Sequence, residues 1–144
     1  MLQCLSEENV KFLLVGAYAV AAYGYPRATK NIDILVGAEP DNAPGIMRAL
    51  ARFGAPLAGV SEADFATAGI AFQIGSSPRR IDILTRISGV EFGHTYERRK
   101  TLSLEGMSVP VISLEDLIAN KRATGRTQDL ADVERLESAI SGKR

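Results

Sequence analysis

The chain has 144 residues, 46% of them hydrophobic and 24% charged, enough for one ordinary domain with a core that needs no disulfide or structural metal. A single cysteine, Cys4, excludes an internal disulfide, and a single histidine, His94, leaves no Cys/His cluster for a zinc site. The 17 Lys+Arg against 17 Asp+Glu give zero formal net charge, which excludes a broadly basic nucleic-acid binder.

Lys11 to Gly16 reads as a buried strand ending at a glycine, and Ala17 to Tyr23 as a short helix stopped by Gly24 and Pro26. Lys30 to Val36 alternates, with Ile32, Ile34 and Val36 on one face and Asn31, Asp33 and Leu35 on the other. Asp41 to Phe53 carries Ile46, Met47, Leu50 and Phe53 at helical spacing, and Gly54 closes it. Ile70 to Ile74 and Arg80 to Leu84 read as a hairpin joined by Gly75-Ser-Ser-Pro78, and Thr101 to Leu104 with Ser108 to Ile112 as a second one around Glu105-Gly106. Ser113-Leu-Glu-Asp116 has capping-box spacing for a helix that ends at Gly125, and Thr127 is the expected N-cap of a last helix with Leu130, Val133, Leu136 and Ile140 on one face. The apolar stretches Phe12 to Val15 and Ala17 to Ala22 fall far short of the ~20 residues a transmembrane helix needs. Glu7 and Glu8 stand where a signal peptide would be basic. A cytoplasmic protein without membrane contact is therefore expected.

Two acids interrupt otherwise apolar strands: Asp33 in Asn-Ile-Asp-Ile-Leu and Asp82 in Arg-Ile-Asp-Ile-Leu. On spacing alone they either share a hard divalent cation, if the strands are neighbours and the acids share a face, or face solvent, which is the commoner case. Lys121 follows Leu114, Leu117 and Ile118 at helical spacing, so it lies on the apolar face. There its ammonium either pairs with an acid such as Asp129 or meets an anionic ligand. His94 and Cys4 have no chemical companion at recognisable spacing, Tyr18 and Tyr23 read as packing residues, and Arg98-Arg-Lys100 reads as a solvated basic run.

Gly16-Ala17 followed by Asn31-Ile-Asp33-Ile, with Asp82 in a later apolar strand, resembles the signature of the polymerase-beta-like nucleotidyltransferase superfamily. The stretch from Gly16 to Val36 is similar to small bacterial members. The tail, Val111 to Lys121 followed by Gly-Arg-Thr-Gln-Asp-Leu-Ala-Asp132, resembles that of abortive-infection-type nucleotidyltransferase toxins. The resemblance spans about residues 10 to 137. It implies an α+β nucleotidyltransferase fold, a mixed twisted sheet with helices packed on it, in one domain over 1–144 with a core over about 10–112 and a helical tail over about 113–141.

The activity so implied is transfer of a nucleoside monophosphate from a nucleoside triphosphate to an acceptor hydroxyl, assisted by Mg2+ or Mn2+ held by three carboxylates. Residue by residue, Asp33 and Asp82 match metal-binding and catalytic acids. Gly16 and Ala17 open the turn beside the triphosphate, without the serine usual there. Arg27, Thr29, Lys121 and, secondarily, Asp129 fall near the nucleotide. Asn31 stands where the first acid of the pair is expected, and its amide can coordinate a metal but brings no charge, so weakened metal binding and activity are expected. The acceptor, whether an RNA end, a small molecule or a protein, is met by the tail, a second copy or a protein partner. The alternative is a catalytically degenerate nucleotide-binding module, of a toxin–antitoxin regulatory kind.

Overall fold

The structure, a computed structural model, describes residues 1–25 and 31–141. The described residues form, in chain order, α1 (Leu2–Glu7), β1 (Phe12–Val15), α2 (Gly16–Ala22), β2 (Ile32–Val36), α3 (Ala43–Phe53), α4 (Glu62–Phe65) and β3 (Ala71–Ile74). They continue with β4 (Ile81–Leu84), α5 (Phe92–Glu97), β5 (Lys100–Leu104), β6 (Met107–Val111), α6 (Leu114–Thr124) and α7 (Thr127–Ser141). The fold is α+β. Its six strands make one mixed sheet in the order β3-β4-β2-β1-β6-β5.

All four residues of β1 are buried, as a central strand covered on both faces requires. β1 runs antiparallel to β2 and parallel to β6, while β2 runs parallel to β4. The ends of β1 and β6 and the beginnings of β2 and β4 therefore meet at one edge of the sheet. Both expected hairpins form, β3 with β4 and β5 with β6. Asn42, before α3, locks the opposite end: its Oδ1 accepts from the Lys11 N–H at 2.8 Å while its Nδ2 donates to the carbonyls of Lys11 and Gly37. A continuous apolar core runs from Leu2 to Leu136 and joins the sheet to α1, α3, α6 and α7.

Some local expectations change. α7 begins at Thr127 itself, one residue earlier than an N-cap there would allow. Ser113 Oγ accepts from the Asp116 N–H at 3.2 Å, and the Asp116 carboxylate accepts from the Ser113 hydroxyl at 3.0 Å and from both arms of Arg98. Arg98 thus leaves the basic run to hold the start of α6, and Arg99 lies over the Tyr96 ring at 4.0 Å.

Candidate active site

Asp33 and Asp82 are the second residues of β2 and β4, and the parallel register pairs them Cα to Cα. Side chains of paired residues share a face of the pleat, and neighbouring strands lie ~4.8 Å apart. The two carboxylates therefore stand side by side, as cation sharing requires. On the other flank Asp33 pairs with Val15, the last residue before the turn into α2. Gly16 makes that turn at φ +67°, and a Cβ there would overlap the Asp33 Oδ2. Only glycine lets the backbone lie this close to the carboxylate.

Burial and the neighbouring Asp82 carboxylate, which shares a hydrogen bond with it, push the Asp33 carboxyl up to about 6, against the smaller opposing pull of Arg80 and Lys121. Asp82, 8% exposed, has both oxygens taken by one guanidinium: Arg80 Nε donates to Oδ1 at 2.8 Å and Nη2 to Oδ2 at 3.1 Å. Asn31 is held by the β3–β4 connection. Its Oδ1 accepts from the Arg80 N–H at 2.8 Å, and its Nδ2 donates to Ser77 Oγ at 3.1 Å.

A cavity of about 420 Å³ opens between this edge of the sheet and the α6–α7 pair, with Gly16, Ala17, Asp33, Lys121, Arg126 and Asp129 in its wall. Lys121 is 6% exposed and sits between two acids of α7, Asp129 Oδ1 at 3.3 Å and Asp132 Oδ2 at 3.2 Å. Burial acts to raise the Asp129 carboxyl, but hydrogen bonds from Arg126, Thr124 and Lys121 outweigh it and hold the group down to about 2. Lys121 is thus both an ion-pair partner inside the protein and part of the cavity wall.

Of the residues read from the sequence, Gly16, Ala17, Asp33, Lys121 and Asp129 line one cavity, with Asp82 adjoining Asp33 and Asn31 bound to the hairpin behind them. Arg27 and Thr29 lie outside the described residues. His94 is exposed beside Glu91, and Tyr23 donates its hydroxyl to the Ile112 carbonyl at 2.7 Å. Arg80 and Arg126 were not singled out by the sequence reading. Arg80 carried a signal, since a residue two before Asp82 in a strand shares its face. Arg126 lies in a connection between helices, where no periodicity applies.

Among the described residues no group of three or more His, Cys, Asp and Glu side chains stands close enough to hold a metal ion. The donors present are one carboxylate pair and an amide already engaged. Such a set suits one hard cation whose shell is completed by phosphate oxygens and water, and it is a carboxylate short for two.

The fold and this edge of the sheet define a nucleotidyltransferase-like protein. The whole chain, residues 1–144, matches the family described as "Nucleotidyl transferase of unknown function (DUF2204)", and it belongs to that family. Two solved structures share the fold. A nucleotidyltransferase candidate from Thermotoga maritima is 18% identical, with 99% of this chain and 88% of that one covered at a TM-score of 0.54. An antigenic nucleotidyltransferase-like protein from Paracoccidioides brasiliensis is 13% identical, with 93% and 70% covered at 0.55. No curated protein matches the sequence. Among the described residues no helix is long and apolar enough to cross a membrane.

Proposed function

We propose that residues 1–144 act as one domain that binds a nucleoside triphosphate with one divalent cation at the Asp33–Asp82 edge and transfers the nucleoside monophosphate to an acceptor hydroxyl. The observation that carries this reading is the register pairing of Asp33 with Asp82, with Asp33 in the wall of a cavity that Lys121 and Arg126 also line. Asp33 and Asp82 would hold Mg2+ or Mn2+, whose chemistry when bound would be to draw charge from the phosphate oxygens. Gly16 and Ala17 present no bulk where the triphosphate approaches, and Lys121 and Arg126 offer positive charge to it. In the transfer the acceptor hydroxyl gives its proton to water, and its oxygen bonds to the α-phosphorus as the bond to the pyrophosphate oxygen breaks and pyrophosphate leaves. Asn31 removes one negative charge from the metal-binding face, so the rate is low.

A second reading is a nucleotide-binding module without transferase activity, in the manner of one half of a toxin–antitoxin pair. The Arg80 fork on Asp82 favours it, because that carboxylate is already neutralised. The two readings part in one experiment. The protein is incubated with each labelled nucleoside triphosphate, Mg2+ or Mn2+, and pools of RNA, hydroxylated small molecules and proteins, while binding is followed in parallel. Label transferred to an acceptor supports the enzyme; saturable binding without transfer supports the module; absence of both rejects the site.

A further inference from the structure

Two ionised carboxylates held in register repel each other, and a folded protein must set a positive charge against them. Here that charge is built in. Arg80 precedes Asp82 by two residues, so its side chain rises on the same face, and its guanidinium grips both carboxylate oxygens as a two-point fork. A further set of bonds fixes the arginine. Its backbone N–H donates to Asn31 Oδ1, Asn31 Nδ2 donates to Ser77 Oγ, and Arg80 Nη1 reaches the same hydroxyl at 3.5 Å. An aspartate at position 31 could still accept from the Arg80 N–H, but it has no N–H to give Ser77. The asparagine that lowers the negative charge of the site also anchors the residue that raises its positive charge.

Resting on the reading of Asp33 and Asp82 as the cation-binding pair, we propose that Arg80 is the resident cation of this site, and that a divalent ion reaches Asp82 only by displacing its guanidinium. Arg80 thereby sets how tightly the site takes a divalent ion. Arginine stays charged at any ordinary pH, so the competition depends on ion concentration. Asp33, which the fork leaves alone, is the first carboxylate an incoming ion meets.

Mn2+ alone, with no nucleotide, tests this through the electron paramagnetic resonance signal of the unbound ion. Arg80→Gln is expected to tighten Mn2+ binding roughly tenfold or more, the effect of losing one adjacent unit charge. Arg80→Lys, which keeps the charge but loses the fork, should fall between it and the unaltered protein. Adding Asp82→Asn to Arg80→Gln should abolish the gain. Unchanged or weaker Mn2+ binding by folded Arg80→Gln overturns the proposal. Should circular dichroism show that variant unfolded, unchanged or weaker Mn2+ binding by folded Arg80→Lys overturns it instead. Nucleotide binding by the unaltered protein is measured separately. Its absence alongside the Mn2+ gain sinks the proposed function alone, and its presence without the gain sinks the role of Arg80 alone.

Discussion

In the folded chain the Asp33 carboxyl ionises at about 6, against an ordinary 3.8, because burial and the Asp82 charge oppose its ionisation. Between those values the folded state holds a proton that the unfolded chain has released, so stability falls as pH rises through this window and stays lowered above it. Asp33→Asn should therefore melt at a higher temperature than the unaltered protein near about pH 7.5, with the difference gone near about pH 4; thermal unfolding at a series of pH values reads it, and a constant difference would refute the assignment. Gly16 is coupled to the same carboxylate. Gly16→Ala forces both a positive φ and an overlap with Asp33 Oδ2, at an expected cost of about 1–3 kcal/mol. In an Asp33→Ala background the overlap with the carboxylate disappears, leaving the backbone strain and a 3.2 Å contact with the residue-33 Cβ, so a double-mutant cycle from urea unfolding should show a smaller cost there. Asp33 and Asp82 were legible in the sequence because a carboxylate in an apolar alternating strand is conspicuous. Their pairing did not follow from spacing, since nothing in β2 or β4 alone states which strands become neighbours; only the resemblance placed the two acids at one site. The Arg80 fork needs only the two-residue spacing that places Arg80 and Asp82 on one face, so its signal was present in the sequence.

Between elements, the α6–α7 junction has one buried cation set between two buried acids. Lys121 of α6 is buried against Asp129 and Asp132 of α7, with Arg126 on Asp129 from the rim at 2.7 Å. Removing one partner of a buried pair leaves uncompensated charge and typically costs about 3–5 kcal/mol. Lys121→Met should destabilise the chain by that order in urea titration, and adding Asp132→Asn should recover part of it; no recovery would mean that packing of the lysine stem, not its charge, holds the helices. The pH signature of Asp129 is opposite to that of Asp33. Its folded ionisation lies at about 2, below the ordinary 3.8, so its contribution is present above that ordinary value and is lost as pH falls toward 2. The long elements were readable because their periodicity and stop signals agree, as in α3, which ends at Gly54 in a left-handed conformation. The short helices α1, α4 and α5 were not, being too brief for a period to show. α4 did carry a legible mark, the Ser61–Asp64 capping box, while α5 is capped by Glu91, whose carboxylate accepts from the Gly93 and His94 N–H groups.

For the molecule as a whole, zero net charge conceals an uneven placement. The negative pair lies on the sheet, and the cations of the cavity wall, Lys121 and Arg126, come from the far end of the chain together with Asp129, with which both pair. A nucleoside triphosphate with its cation would touch both, joining the β1–β2–β4 edge to the α6–α7 pair. A ligand that binds only the folded state adds RT ln(1 + [L]/Kd), about 2.7 kcal/mol at a hundredfold excess over Kd. For a chain of this size that corresponds to a rise in melting temperature of roughly 10 °C. Each of the four common ribonucleoside triphosphates, with Mg2+ or Mn2+ in excess, is therefore expected to be testable by thermal shift, with at least one raising the melting temperature in a saturable way. Asp33→Asn is the decisive comparison, because it should stabilise the free protein near neutral pH while abolishing the rise on ligand addition. A stabilised variant that still responds fully would show that the nucleotide binds elsewhere. A protein that responds to none of the triphosphates, under conditions where Asp33→Asn alone shifts the melting temperature as expected, would leave the electrostatics of the paired acids standing and remove the nucleotide from them.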